Sequence, residues 1–175
     1  MNDKNTESSH SNKLIHAYEQ MMKRVHKLIN ETEEHTLPRI EEHIDQAREK
    51  MVELGELTQE EADKIAGYLK RDFQEVGSFL VETGKEIDDW FSLDVALIEQ
   101  HLLDLFLSVA DKSRLELMQF KQDIKMGTPY HTGEITGPGV LICHSCGKEM
   151  HFHKAGHIPP CPACHHTEFV RKQTG

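Results

Sequence analysis

Cys143, Cys146, Cys161 and Cys164 are the cysteines of this 175-residue chain, and they form two Cys-x-x-Cys pairs separated by 14 residues. Thiolates two residues apart turn inward from a tight loop onto one ion, and two such loops supply a closed tetrahedron. The expected chemistry is metal binding, with one zinc ion (Zn2+) per chain. Four thiolates in two such loops also describe a rubredoxin-like iron site, which stays open as the alternative. A sphere filled by four sulfurs leaves no position for water, so the pattern points to a structural ion rather than a hydrolytic one. Without an ion, the last ~45 residues would have too small a core to stand.

Other chemistries are poorly supported by the residues present. Seven histidines (His131, His144, His151, His153, His157, His165 and His166) surround the cysteine pairs. These invite a second metal at His151, His153 and His157. Strand alternation places Glu149, His151 and His153 on one face, but that row spans about 13 Å, too far for all three to converge on one ion. A solvated or interaction role is the expectation. A di-iron carboxylate centre needs Glu-x-x-His on inward helix faces. The one such motif is Glu7 to His10, in a polar segment, and His16, His26 and His43 fall off the apolar stripes. There is no Gly-rich phosphate loop, no Gly-x-Ser-x-Gly elbow and no Cys-His pair with a spare cysteine. The chain is therefore read as a non-enzyme.

The elements that must position the cysteines follow from periodicity. Leu14, Tyr18, Met21, Val25 and Leu28 recur at helical steps. A second helix is expected after Pro38, through Leu37, Ile40, Ile44, Ala47, Met51 and Leu54, ending at Gly55. Thr58 and Glu61 form a capping box that opens a third helix through Ala62, Ile65, Leu69, Phe73, Val76 and Leu80 to Gly84. From about Glu86 to Met126 a fourth segment carries two apolar stripes, centred on Leu102 to Ala110. It reads either as one helix of roughly 40 residues or as two, broken near Asp111 to Ser113, where Ser113 and Glu116 offer another capping box. Trp90 is expected in the core. Past Gly127 the run GTPYHTGEITGPG has no helical period. Val140–Ile142, Glu149–Lys154 and Thr167–Arg171 then read as three short strands around the cysteine turns.

The expected fold is mainly α: an antiparallel helical bundle or long helical hairpins, followed by a small three-stranded β ribbon. The expected division is a disordered tail at 1–12, an acidic helical domain at 13–126, a linker at 127–138 and the ribbon at 139–175. Residues 1–126 hold 16 Lys and Arg against 27 Asp and Glu, whereas residues 127–175 hold 4 against 3. The acidic front part repels phosphate, so any nucleic-acid contact would fall to the ribbon through Lys148, Lys154, Arg171 and Lys172. The polar start MNDKNTESSHSN and the short apolar run at Leu102 to Ala110 suggest neither leader nor membrane span, hence a soluble, cytoplasmic protein. The surplus apolar face of the fourth segment suggests a protein partner or a homo-oligomer through the helical domain. A ribbon that depends on its metal beside helices that do not should unfold alone on chelation.

Several runs carry a family resemblance: Tyr18-Glu19-Gln20, LTQEEADKIAGYLKRD at Leu57–Asp72, LFLSVADKSRLEL at Leu105–Leu117, YHTGEITGPG at Tyr130–Gly139 and HFHKAGHIPPCPAC at His151–Cys164. The chain closely resembles an uncharacterised bacterial family of zinc-ribbon-containing proteins with a helical front domain. The resemblance implies a zinc site at Cys143, Cys146, Cys161 and Cys164 in a cytoplasmic protein, and no established activity. Such ribbons often read Cys-Pro-x-Cys-Gly in the second knuckle, where this chain has His165.

Overall fold

The first apolar stripe folds as helix α1 (Asp3–Glu31), which buries Tyr18, Met21, Met22, Val25 and Ile29. The computed structural model describes residues 3–31, 39–120 and 128–172. Helix α1 begins well before Leu14, so residues 3–12 are helical where a disordered tail was expected. Polar contacts hold this helix from Ser11 onward: Lys13 pairs with Glu61 at 3.0 Å, and the Ser11 carbonyl lies 3.2 Å from the His157 ring.

Helix α2 (Ile40–Glu53) buries Ile40, Ile44, Ala47 and Met51 of the expected seam, whereas Leu54 stands at the helix end and is exposed. Leu37 and Pro38 lie outside the described residues. Helix α3 (Gln59–Thr83) opens with the full capping box: the Glu61 N–H donates to Thr58 Oγ1 at 3.2 Å, and the Thr58 N–H donates to Glu61 Oε2 at 2.9 Å. Two otherwise orphaned backbone donors are satisfied by this exchange. Gly84, left-handed at φ 63°, stops the helix.

The fourth segment departs most from its periodicity. It divides into α4 (Ile87–Trp90), a 3₁₀ turn (Val95–Leu97) and α5 (Gln100–Phe120). Ser92 adopts φ 52°, and the Asp94 carboxylate accepts the Ala96 N–H at 3.0 Å, a local bond that competes with helix. The break places Trp90 and Phe91 against Phe106, with centroids 5.8 and 6.1 Å away, so Trp90 is core. Inside α5, Ser113 is kinked at φ −116°, ψ 17°. The expected capping box with Glu116 does not form, because Ser113 Oγ has no partner. The continuation toward Met126 lies outside the described residues.

Helices α1, α2, α3 and α5 pack around one core, with α3 in contact with all the others. At its crossing with α5 the backbone of Gly77 comes so near Leu117 that a Cβ would fall 2.0 Å from the Leu117 carbonyl oxygen. The apolar surplus that suggested self-association is used up here: Leu102, Leu103, Leu105, Phe106, Val109 and Ala110 are all buried within the chain.

The ribbon has more strands than expected. β1 (Tyr130–His131), β6 (Glu168–Arg171), β3 (Gly139–Cys143) and β4 (Glu149–Phe152) form an antiparallel sheet in that order, and β2 (Ile135–Thr136) pairs with β5 (Gly156–His157). Strands β1 and β2 fall in residues 127–138, which are sheet where a linker was expected. Their pairings are with β6 and β5, distant in sequence, so no local period announces them.

The two parts of the chain are joined by a buried polar cluster. Asp72, fully buried on α3, accepts hydrogen bonds from Tyr18 Oη at 2.6 Å, from Tyr130 Oη at 3.0 Å and from the Gly137 N–H at 2.9 Å. Arg171 of β6 lies 3.6 Å from the same carboxylate. Its guanidinium donates to the Thr136 hydroxyl and to the Pro138 carbonyl, at 2.9 and 3.0 Å, and stacks 4.4 Å from the centre of the Trp90 ring. Arg71 donates to Glu134 and to the Ile135 carbonyl, with its guanidinium 3.8 Å from the centre of the Tyr130 ring. Burial, with the adjacent Asp72 carboxylate, pushes the Tyr18 hydroxyl well above its ordinary range, so it stays a donor. Tyr130 is shifted upward chiefly by burial.

Glu116, on α5, is a local weakness. Burial, reinforced by Glu41 and Glu42 and opposed by the Ile40 N–H and Arg39, raises its carboxyl to about 7. Because the folded value exceeds that of the unfolded chain, the group favours the fold while protonated. That contribution is full below about 4.5 and is lost as pH rises through about 7. Half-exposure reduces the effect, so Glu116→Gln should stabilise the protein by roughly 1 kcal/mol at pH 8 and not at pH 5, read by urea denaturation at both.

Candidate metal centre

The two cysteine pairs fold into knuckles with the same backbone hydrogen bonds. In the first, the Gly147 N–H donates to the Cys143 carbonyl and the Cys143 N–H to the Lys148 carbonyl, both at 2.9 Å. In the second, the His165 N–H donates to the Cys161 carbonyl and the Cys161 N–H to the His166 carbonyl, again at 2.9 Å. The residue after the second cysteine is left-handed in both, Gly147 at φ 71° and His165 at φ 58°. The substitution of His for Gly is thus absorbed without a change of turn, at the expense of strain about Cβ. His165→Gly is expected to raise ribbon stability by about 1 kcal/mol, measured as resistance of the zinc-loaded protein to denaturant.

All four expected ligands converge. Their sulfurs lie within 4.8 Å of one another, with Cys143 to Cys164 at 3.5 Å and Cys146 to Cys161 at 3.6 Å. The close pairs thus cross between knuckles. Thiolates bound tetrahedrally about 2.3 Å from one ion stand roughly 3.8 Å apart, so the set fits such an ion with little adjustment. Cys143 and Cys161 are buried, in a small core with Tyr130, Leu141, Met150, Ile158 and Phe169, whereas Cys146 and Cys164 are exposed. The ribbon's apolar packing is therefore built onto two of its sulfurs.

The electrostatics also suit a cation. Burial opposes ionisation of Cys161, but the N–H groups of Cys164 and Ala163 and hydrogen bonds from the neighbouring thiols outweigh it and bring the thiol down to about 6. The N–H of Lys148 favours the Cys146 thiolate, yet the neighbouring Cys164, Cys161 and Cys143 sulfurs push it up to about 12. Ionising all four sulfurs at this spacing therefore requires a positive charge between them.

Other expected groups are placed elsewhere. His151, His153 and His157 do not converge: His151 lies 3.6 Å from Glu149, while His157 sits 2.9 Å from the Gly133 carbonyl and bridges to Ser11. Of the four cations considered for nucleic acid, Arg171 is buried and Lys172 pairs with Glu149 at 2.7 Å, leaving Lys148 and Lys154 exposed. Asp72 was not expected to matter, and Arg171, expected as a surface cation, is buried instead. The signal was present: Ile65, Leu69, Asp72 and Val76 follow helical spacing, so a carboxylate stands on an apolar stripe. Arg171 likewise alternates in phase with Phe169. No helix among the described residues is long and apolar enough to cross a membrane.

Comparison with known proteins agrees with this geometry. The chain is 34% identical over 133 residues to proteins named "Uncharacterized protein YbeL" from Escherichia coli strain K12 and from Escherichia coli O157:H7, covering 74% of this chain and 79% of each relative. No solved structure matches. The profile of the family described as "Zinc-ribbon containing domain" matches residues 27–173, which takes in most of the helices as well as all four cysteines. The chain belongs to the zinc-ribbon containing domain family.

Proposed function

We propose that Cys143, Cys146, Cys161 and Cys164 bind one structural zinc ion, and that the protein is a non-catalytic adaptor whose ribbon is held rigidly against an acidic helical bundle. The observation that supports this most is the closed set of sulfurs, all within 4.8 Å of one another and drawn equally from two matching knuckles. Four thiolates fill a tetrahedral ion and leave no position for a reacting water. Zinc is preferred to iron because the ribbon belongs to a zinc-ribbon family. The adaptor's target is a protein of another kind rather than a second copy, since the apolar surplus of α5 is covered by the chain itself. An excess of acidic residues along 1–126 favours a basic partner surface.

Metal analysis of protein from cells grown without added zinc tests the site: one zinc per chain and no visible colour are expected, with loss of the ion in Cys143→Ser. Stoichiometric iron with thiolate absorbance would refute the zinc assignment. For the adaptor role, a basic protein captured from cell extract should be retained by the wild-type chain and released by Cys161→Ser. Equal capture by both would show that the folded ribbon is not required.

A further inference from the structure

Beside the cysteine knuckles three other ligand-bearing side chains meet. His144, His166 and Glu168 each bring one ligand atom within 4.8 Å of the other two, although they are scattered in sequence. Backbone bonds set the convergence. The His144 N–H donates to the Glu168 carbonyl at 3.0 Å, joining the first knuckle to the start of β6, and the His166 carbonyl accepts the Cys161 N–H at 2.9 Å. Closure of both knuckles therefore fixes the positions from which the three side chains project.

Their chemistry differs from that of an ordinary charged cluster. Glu19, Glu99 and His101 also lie close together, but there the His101 ring stands 3.3 Å from Glu99 and 4.0 Å from Glu19, so its nitrogens already have carboxylate partners. Among the described residues the side chains of His144, His166 and Glu168 have no hydrogen bond or ion pair, with each other or with a neighbour. Two imidazoles and one carboxylate are a donor set for borderline divalent transition ions, and three ligands leave coordination positions open. His144 is exposed while His166 and Glu168 are half-buried, so an ion can arrive directly from solvent.

We propose that His144, His166 and Glu168 form a second metal site, open to solvent and selective for a divalent transition-metal ion, beside the four-cysteine set. In zinc-loaded full-length protein titrated with Co2+, one cobalt per chain should bind, with weak visible bands of nitrogen and oxygen coordination and no thiolate charge transfer. Glu168→Gln and His166→Ala should each weaken that binding at least about tenfold, with one zinc per chain retained. His151→Asn combined with His153→Asn should leave it unchanged. Absence of a second equivalent overturns the proposal, as does a second equivalent indifferent to Glu168→Gln and His166→Ala. Cobalt bands with thiolate character and matching zinc release also overturn it, since cobalt then enters only the cysteine site. Should His166→Ala fail to hold zinc, the near-isosteric Glu168→Gln decides the matter alone.

Discussion

Stripping the metal, or replacing Cys161 with serine, is expected to unfold the ribbon and to lower the thermal midpoint of the helices as well, by about 10 °C. The ribbon falls because two of its core residues, Cys143 and Cys161, belong to the four-sulfur set proposed to hold the ion. The helices suffer because Asp72 takes two of its three hydrogen bonds from Tyr130 and the Gly137 N–H, and Arg71 donates to Glu134 and Ile135. Once the ribbon unfolds, Asp72 and Arg71 lose these partners and the helical core loses the apolar cover of Ile135 and Ala155. The lost hydrogen bonds and the apolar surface newly exposed to water together cost the helical part several kcal/mol, at about 25 cal/mol per Å² of apolar surface. The sequence alone suggests the opposite, helices indifferent to chelation. Circular dichroism of the helices during heating, with and without a chelator, separates the two outcomes.

Asp72→Ala is expected to cost about 3–5 kcal/mol in urea denaturation of the zinc-loaded protein. The substitution removes the acceptor shared by Tyr18, Tyr130 and Gly137 and leaves Arg171, almost wholly buried, beside a void. Arg171→Met should cost somewhat less alone, since methionine keeps contact with Trp90 and Arg71, 3.8 Å from the carboxylate, remains as a cation for Asp72. Combined with Asp72→Leu, Arg171→Met should be milder than the sum of the two, because no buried charge is then orphaned. The exposed pair Lys64 and Glu60, at 2.7 Å, is the control and should show no measurable loss when broken. If Asp72→Ala cost as little as that pair, the buried cluster would not be what holds the two parts together.

Much of this molecule is written locally. The stripes of α1, α2 and α3, the Thr58 and Glu61 capping box and the stop at Gly84 are all short-range signals, and each appears where the sequence places it. The cysteine ligands are legible for the same reason, since a Cys-x-x-Cys turn is complete within a few residues. What escapes local reading depends on distant partners. Strands β1 and β2 exist because β6 and β5 pair with them, and a Gly- and Thr-rich run looks like linker until those strands are known. The segment around Ser92 and Asp94 has an apolar period, but side-chain bonding to its own backbone defeats the helix. Residues 3–12 show the converse, a polar stretch made helical beside contacts to α3 and β5. The buried charges of Asp72 and Arg171 stood on apolar faces in the sequence, where an ionisable residue asks for a partner not yet visible.

The central claim is that one metal ion, held by four cysteines, fixes the ribbon to the helices through the Asp72 cluster. It is tested most directly by a single heating scan of zinc-loaded protein that follows helical circular dichroism and, through a chromophoric zinc indicator, release of the ion. One shared transition, moved to lower temperature together in Asp72→Ala, is the predicted result. Zinc release that precedes helix melting by a wide interval, with the helical transition unmoved by its loss, would contradict it.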